Sequence, residues 1–272
     1  MNLMKPAIAL LSVWASLGLP APAAEPAPLT RAHAHNDYEH SRPLLDALDQ
    51  GFCSVEADVW LLDGELRVAH DQDAAKPGRT LQKLYLDPLL ARIQTHRGRV
   101  FPEAPLFTLL VDVKSDATNT YRALLQSLRP YRTILTRFEP GRTVTNAVTI
   151  ILSGNRAREL MALDKIRWTA MDGRLGDLEA NPSPHFIPLI SDNWSPHFRW
   201  RGAQDGPFPE AERAKLRLLV QRAHDQGRRL RLWNTPDSPV AWKELADAGL
   251  DLLNTDDLPG LAAFFRAKPG KK

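Results

Sequence analysis

Short apolar runs alternate with amphipathic segments along most of the chain, from residue 29 to residue 267. The runs have the length and composition of strands, whereas the segments repeat apolar residues with the period of a helix. Strands are predicted over residues 29–35, 53–58, 66–70, 106–112, 147–152, 166–171, 186–190, 229–233 and 250–254. Helices are predicted over residues 41–49, 80–96 with a break at Pro88, 118–128, 210–226, 240–248 and 258–267, with one more ending at Leu163.

This alternation predicts parallel strands that are joined by crossover helices. The Asp63-Gly64 pair is typical of a hairpin turn, so residues 59–71 should fold back as a hairpin. That hairpin makes 66–70 the surplus run and leaves eight strands for a single (β/α)₈ TIM-type barrel. A doubly wound open sheet is the alternative, but it usually carries a glycine-rich turn after its first strand, where His35-Asn36-Asp37-Tyr38 stands here.

The first 24 residues have the features of a secretory signal peptide. Lys5 precedes an apolar segment over residues 7–19, and small residues follow over 21–24. The apolar segment is short and is interrupted by Gly18 and Pro20, which argues against a transmembrane span. We therefore expect a secreted or periplasmic protein, with residues 25–272 forming one catalytic domain.

The charge distribution bears on the choice of partner. The formal net charge is +3, and lysine and arginine are scattered without a long basic run, which does not indicate a nucleic-acid surface. A mild positive charge fits a small anionic substrate equally well. Cys53 is the only cysteine, so an intramolecular disulfide and a thiolate metal site are both excluded. Oligomeric state stays open.

Polar side chains follow the predicted strands at their carboxyl ends, where (β/α)₈ barrels place their active sites. They are His35-Asn36, Glu56-x-Asp58, His70, Asp112-x-Lys114, Trp233-Asn234 and Asn254-Thr255-Asp256. Residues two apart on a strand face the same side, so Glu56 and Asp58 can converge on one cation. With Asp112 as a third carboxylate and Asn36 as a neutral oxygen ligand, the set suits one hard divalent cation, Mg²⁺ or Ca²⁺.

These motifs resemble those of the phospholipase C-like phosphodiesterase superfamily. That superfamily includes phosphatidylinositol-specific phospholipases C, glycerophosphodiester phosphodiesterases and spider-venom-type sphingomyelinases D. The strings HAHNDY (33–38), SVEADVWL (54–61) and LRVAHD (66–71) are most similar to the branch labelled altered inheritance of mitochondria protein six. The likeness continues at LLVDVK (109–114) and more weakly at LWNT (232–235) and LLNTDD (252–257).

The resemblance implies a role for each matching position. His35 and His70 become the catalytic acid–base pair, without an assignment of which is acid and which is base. Asn36, Glu56, Asp58 and Asp112 become the cation ligands, and Lys114 faces the phosphate. Glycerophosphodiesterases carry a His-Arg-Gly motif after the first strand, where this chain has His35-Asn36-Asp37, and their Glu-Asn-Thr motif does not occur in this sequence. This departure leaves glycerophosphodiesters in doubt as substrates.

The expected function is therefore metal-dependent hydrolysis of a phosphoric diester that is phospholipid-derived or of the glycerophospho type. Water or a substrate hydroxyl would attack, one histidine would take its proton, and the other would protonate the leaving oxygen. His33, Trp233 and Asn234 are expected to contact the substrate, and Trp194 is a further candidate for lining the pocket.

Two other functions remain open from the sequence. His33-x-His35 after the first strand also occurs in metal-dependent amidohydrolases, which need further histidines at later strand ends. Here His185 and His197 fall in a loop region and His224 falls inside a helix, so that set assembles poorly. The other alternative is a secreted module that binds a phosphate ligand without turnover.

Overall fold

The computed structural model describes residues 25–104 and 106–267, so the predicted signal peptide lies outside the described residues. Its strands are β1 (Leu29–Ala34), β2 (Phe52–Leu62), β3 (Glu65–Val68), β4 (Phe107–Val113), β5 (Arg137–Glu139), β6 (Arg142–Val144), β7 (Val148–Gly154), β8 (Ala170–Gly173), β9 (Leu189–Asn193), β10 (Arg229–Trp233) and β11 (Leu253–Thr255). Its helices are α1 (Leu45–Asp49), α2 (Asp87–Thr95), α3 (Ala117–Ser127), α4 (Arg158–Leu163), α5 (Asp177–Ala180), α6 (Trp194–His197), α7 (Glu210–Asp225), α8 (Pro239–Asp247) and α9 (Leu258–Arg266).

Eight parallel strands form the barrel in the order β10-β9-β8-β7-β4-β2-β1-β11. The two ends of this order meet through a parallel bridge between Arg231 and Leu252, and the Asp251 amide donates to the Leu230 carbonyl over 3.1 Å. The sheet therefore closes, and the predicted (β/α)₈ barrel is confirmed.

Alternation along each strand divides the barrel into an outer and an inner face. On β2 the fully buried Val55, Ala57 and Val59 belong to the large apolar cluster between strands and helices. A second, small apolar cluster, which includes Leu110 of β4 and Ile151 of β7, is separate from it. Asp112 lies two residues beyond Leu110 and so faces the same side, at the carboxyl end of the strands.

The hairpin was predicted correctly as the surplus element. Strand β2 runs past the barrel and pairs antiparallel with β3, with Trp60 opposite Arg67. Asp63 and Gly64 both have positive φ, 51° and 78°, as a tight hairpin turn requires. The returning chain is tied to β2 where the Ala69 amide donates to the Asp58 carbonyl over 3.2 Å, which brings His70 beside the carboxyl end of β2.

The structure corrects the prediction for residues 80–96. A π-helical turn over Gln82–Leu86 continues into α2 without interruption, so there is no break at Pro88. Pro88 lies in the first turn of α2, where a missing N–H is tolerated.

Three barrel strands, β8, β9 and β11, begin later in the chain than predicted. The run 166–171 contributes only its end to β8, because Arg167 pairs instead with Phe138 of β5 through two backbone hydrogen bonds of 2.8 and 2.9 Å. The run 186–190 likewise shifts to β9. The β5–β6 hairpin, which lies between β4 and β7 in the chain, has three-residue strands and was not predicted. Within the described part of the chain, no helix is long and apolar enough to cross a membrane.

Candidate active site

A cleft of about 590 Å³ opens at the carboxyl ends of the barrel strands. It is lined by His35, Asn36, Glu56, Asp58, His70, Asp112, Lys114, Ser153, Gly154, Arg174, Arg231, Trp233 and Asn234. Of the residues that the sequence analysis gave a role in the site, nine are therefore together in one cavity, and His33 and Trp194 do not line it. The distance in sequence from His35 to Asn234 shows that only the closed barrel brings them together.

Three carboxylates form the floor of the cleft. Glu56, Asp58 and Asp112 each offer an oxygen, and these oxygens lie within 4.8 Å of one another. Strand register accounts for the closeness, because Asp58 of β2 stands directly opposite Asp112 of β4. The Oδ1 atoms of Asp58 and Asp112 are buried and have no hydrogen-bond partner among the described residues. Buried carboxylate oxygens without partners are costly, and a hard divalent cation would satisfy both.

Asp58 is buried between a carboxylate, Glu56, and an ammonium group, Lys114, which act on its pKa in opposite directions. Burial and the neighbouring charge of Glu56 raise its pKa to about 6, although Lys114 opposes the shift. The Lys114 Nζ lies 2.6 Å from Asp112 Oδ2 and 3.1 Å from Asp58 Oδ2. Lys114 therefore neutralises part of the acidic floor while facing the cleft.

Glu56 is held ionised by a different pair of neighbours. The Arg231 guanidinium forms an ion pair with Glu56 Oε2 and also donates to Asn254 Oδ1 over 2.8 Å. Burial alone would raise the pKa of Glu56, but Arg231 and the hydrogen bond from His33 outweigh it and hold that pKa well below its usual range. The sequence prediction missed Arg231, although a charged residue inside an apolar strand, two before Trp233, was a usable signal.

His33 lies beneath the cleft and not in its wall. The side chain is fully buried, with Nδ1 2.7 Å from Ser54 Oγ and Nε2 3.2 Å from Glu56 Oε2. Burial and the charge of Arg231 lower its pKa to about 3, so the ring is neutral and donates to Glu56 from Nε2. The expectation that His33 touches the substrate does not fit this position, because Glu56 and Ser54 occupy both ring nitrogens.

The two predicted catalytic histidines lie on different segments, and each is hydrogen-bonded to a different carboxylate. His35 follows β1, and its Nδ1 lies 3.0 Å from Asp256 Oδ1, which follows β11. Burial opposes protonation, but the hydrogen bond to Asp256 and the charge of Glu56 raise the pKa of His35 overall. His70 is carried by the hairpin, and its Nδ1 lies 3.2 Å from Asp58 Oδ2. The sequence identifies Asp256 only as a polar residue at a strand end, and its hydrogen bond with His35 orients that ring.

Tyr38 links the elements of the site. Its hydroxyl lies 2.7 Å from Asn36 Oδ1, 2.8 Å from Asp58 Oδ2 and 3.2 Å from His70 Nδ1. The ring is 3% exposed, so the hydroxyl is fixed by packing. The Tyr38 hydroxyl thus connects the carboxyl ends of β1 and β2 with the hairpin through hydrogen bonds.

The far wall holds Trp233 and Asn234. Asn234 adopts a left-handed conformation with φ of 58°, and its Nδ2 donates to Asn193 Oδ1 and to Ser195 Oγ over 3.1 and 2.8 Å. Trp194 does not reach the cleft: it is fully buried, stacks on Phe198 and donates from Nε1 to a backbone carbonyl. The suggestion that Trp194 lines the pocket is therefore wrong.

Gly154 lets strand β7 pass close to the acidic floor. A Cβ at this position would overlap Asp112 Oδ1 and the carbonyl oxygen of Val113, and φ is +65°. Glycine is the residue that meets both requirements without strain.

A closed (β/α)₈ barrel with carboxylates and two histidines at its rim defines the phospholipase C-like class of phosphodiesterase-type domain. The sequence pattern of the AIM6-like phosphodiesterase domain matches residues 25–170, and that of the glycerophosphoryl diester phosphodiesterase family matches residues 229–259. The chain belongs to the AIM6-like phosphodiesterase family. The predicted superfamily and branch are thereby confirmed.

Relatives with this domain occur in fungi. Altered inheritance of mitochondria protein 6 of Eremothecium gossypii is 32% identical over 87% of this chain and 69% of its own length. The homolog from Arthroderma benhamiae is 28% identical over 86% of this chain and 83% of its own.

Two solved structures share the fold. A calcium-dependent phosphoinositol-specific phospholipase C from Pseudomonas matches with a TM-score of 0.58 and 13% identity, covering 88% of this chain and 93% of that one. A glycerophosphodiester phosphodiesterase from Parabacteroides distasonis matches with a TM-score of 0.53 and 16% identity, covering 89% and 100%.

Proposed function

We propose that this protein is a metal-dependent phosphoric diester hydrolase. Its substrate would be a phospholipid-derived or glycerophospho-type phosphodiester. The observation that supports this most directly is the pair of buried, unpartnered carboxylate oxygens on Asp58 and Asp112, with His35 and His70 lining the same cleft. The likeness to a phospholipase C and a glycerophosphodiester phosphodiesterase supports the same reaction class.

Glu56, Asp58, Asp112 and Asn36 are the residues that would hold the cation, Mg²⁺ or Ca²⁺. When bound, that ion would polarise the phosphate and neutralise the charge that develops on its oxygens. Lys114 faces the same cleft, so its ammonium group can donate to a non-bridging phosphate oxygen.

Proton transfer falls to the two histidines. Asp256 accepts a hydrogen bond from Nδ1 of His35 and so fixes the ring with Nε2 as the atom that gains or loses a proton. His70 holds its Nδ1 near Asp58, which leaves its Nε2 for the same exchange. One ring takes the proton of the attacking water or substrate hydroxyl, and the other gives a proton to the leaving oxygen.

The test is hydrolysis of bis(p-nitrophenyl) phosphate by residues 25–272, with Mg²⁺, with Ca²⁺ and with EDTA. We expect turnover that needs a cation and falls by about 10²–10⁴-fold in His35→Ala and in His70→Ala. His224→Ala is the matched control, because His224 pairs with Asp251 and does not line the cleft. A folded protein that binds the cation but hydrolyses no diester would instead support the binding module.

We further propose that residues 1–24 direct export and are then removed, so that the mature protein is secreted or periplasmic. The lysine, apolar segment and small-residue stretch of this region support the proposal. Amino-terminal sequencing of the exported protein should begin near Glu25, and a chain that retains Met1 inside the cell would contradict it.

A further inference from the structure

A second depression adjoins the catalytic cleft. It has a volume of about 510 Å³ and shares Gly154 with the cleft. Ser115, Asn155, Arg156 and Arg158 contribute to its lining. The two cavities therefore form one continuous surface, running from the acidic floor past Gly154 to a group of arginines.

Two arginines at this junction both donate hydrogen bonds to Asp172. Arg156, which lines the second depression, donates from Nη1 to the Asp172 carbonyl over 2.6 Å. Arg174, which lines the catalytic cleft, donates from Nη1 to Asp172 Oδ2 over 3.1 Å. Burial and the charge of Arg174 lower the pKa of Arg156, as expected for two like charges that are held close together.

The positive charge of this pair is only partly neutralised. Asp172 is fully buried and is the carboxylate that pairs with Arg174. Asp177 already forms an ion pair with Arg158 over 2.8 Å and accepts a hydrogen bond from the backbone amide of Arg174. Within residues 25–104 and 106–267, no carboxylate lies within 4.0 Å of the Arg156 guanidinium.

The remaining acid nearby is also occupied. Asp116 caps the amino end of α3, where its Oδ1 accepts from the Asn119 amide over 2.8 Å. The formal charges of these arginines and aspartates balance, but the Arg156 guanidinium has no carboxylate within 4.0 Å among the described residues and lines a depression that adjoins the proposed catalytic cleft. A guanidinium in this position is well suited to a planar or tetrahedral oxyanion.

We propose that Arg156 and Arg174 form a subsite for a second anionic group on the substrate. The substrate is then a phosphodiester in which one ester arm carries a phosphate or a carboxylate, and the subsite fixes which arm points past Gly154. This rests on the proposed phosphodiesterase function.

The first test compares two chromogenic esters that differ by one carboxylate, phenyl p-nitrophenyl phosphate and 4-carboxyphenyl p-nitrophenyl phosphate. We expect the wild-type protein to favour the carboxylated ester in kcat/KM on the order of tenfold, the lower end for a charge-assisted hydrogen bond because the recess is open to solvent. Arg156→Gln should bring that ratio close to one. Arg222→Gln, which removes an arginine paired with Glu179 on the surface, should leave the ratio as in the wild type. No preference in the wild type, or a preference that Arg156→Gln leaves intact, overturns the subsite.

A second test does not depend on turnover. Inorganic phosphate is titrated into the protein in EDTA by calorimetry, so that no cation can hold the anion. Arg156→Gln should weaken binding on the order of tenfold and Arg222→Gln should not. If Arg156→Gln loses phosphate binding and neither ester is hydrolysed, the subsite proposal stands and the diesterase proposal is rejected. Hydrolysis of the ester that lacks the carboxylate, with no preference for the carboxylated ester and with equal phosphate binding in all three proteins, keeps the diesterase and rejects the subsite.

Discussion

Tyr38→Phe is the substitution that most directly tests how the site is organised. It removes one hydroxyl and keeps the buried ring, so packing is preserved. The hydroxyl lies within hydrogen-bonding distance of Asn36 Oδ1, Asp58 Oδ2 and His70 Nδ1, and these three groups come from three different segments.

The size of the effect follows from the partners. A hydrogen bond to a charged group contributes roughly 1.5–3 kcal/mol to stability. Asp58 Oδ2 keeps its contacts to Lys114 and His70 in the variant, so we expect the free energy of unfolding to fall by about 2 kcal/mol. The loss of a group that orients cation ligands should weaken cation binding by about 10–100-fold.

Calorimetric titration with Ca²⁺ and Mg²⁺, together with urea unfolding in EDTA, measures both quantities. Tyr121→Phe is the matched control, because Tyr121 is equally buried and its hydroxyl donates to Asp164 over 2.8 Å, outside the cleft. The control should lose stability and keep its cation affinity. The reasoning is refuted if cation affinity is unchanged in Tyr38→Phe, or if Tyr121→Phe weakens it as much.

Three further outcomes are expected. Gly154→Ala should displace Asp112 and abolish measurable cation binding in calorimetry, while circular dichroism shows a folded barrel; normal affinity would show that β7 can move away. A saturating cation, at 100 times its Kd, should raise the free energy of unfolding by about 2.7 kcal/mol, and Asp112→Asn should remove most of this gain in a thermal-shift assay. Burial raises the pKa of Asp37 from 3.8 to about 6, so the folded state holds its proton more tightly than the unfolded state and stability falls as pH rises from about 4 to about 6. Asp37→Asn should remove up to about 3 kcal/mol of that fall in urea unfolding across this pH range, and identical pH profiles would contradict the assignment.

The barrel and the acidic cluster of Glu56, Asp58 and Asp112 were predictable because they depend on local patterns. Residues 229–233 were predicted as a strand with the bounds that β10 has, and Glu56 and Asp58 share a face because strands alternate. How deeply each side chain is buried inside the barrel could not be predicted, because burial depends on how the sheet closes. His33 and His35 share a face, yet β2 and β10 cover only His33, through Ser54, Glu56 and Arg231.

The position of Arg174 at the cleft could have been predicted from the sequence. Asp172-x-Arg174 at the end of β8 repeats the spacing of Asp112-x-Lys114 at the end of β4, with a basic residue two positions after an acidic one. The pairing of Arg156 with Asp172 had no such signal, because it joins segments from different strands across a loop.

The hairpin places one member of the proposed catalytic pair, His70, outside the barrel. The side chain of His70 is 57% exposed, and it lies on a turn-back that adds no strand to the barrel. Insertions or substitutions at the exposed turn, residues 63–65, can therefore move one member of the proposed catalytic pair, while Leu66 and Val68 keep the hairpin attached to the core. A lineage of such proteins could in this way exchange turnover for ligand binding, or recover it, through changes at one exposed turn.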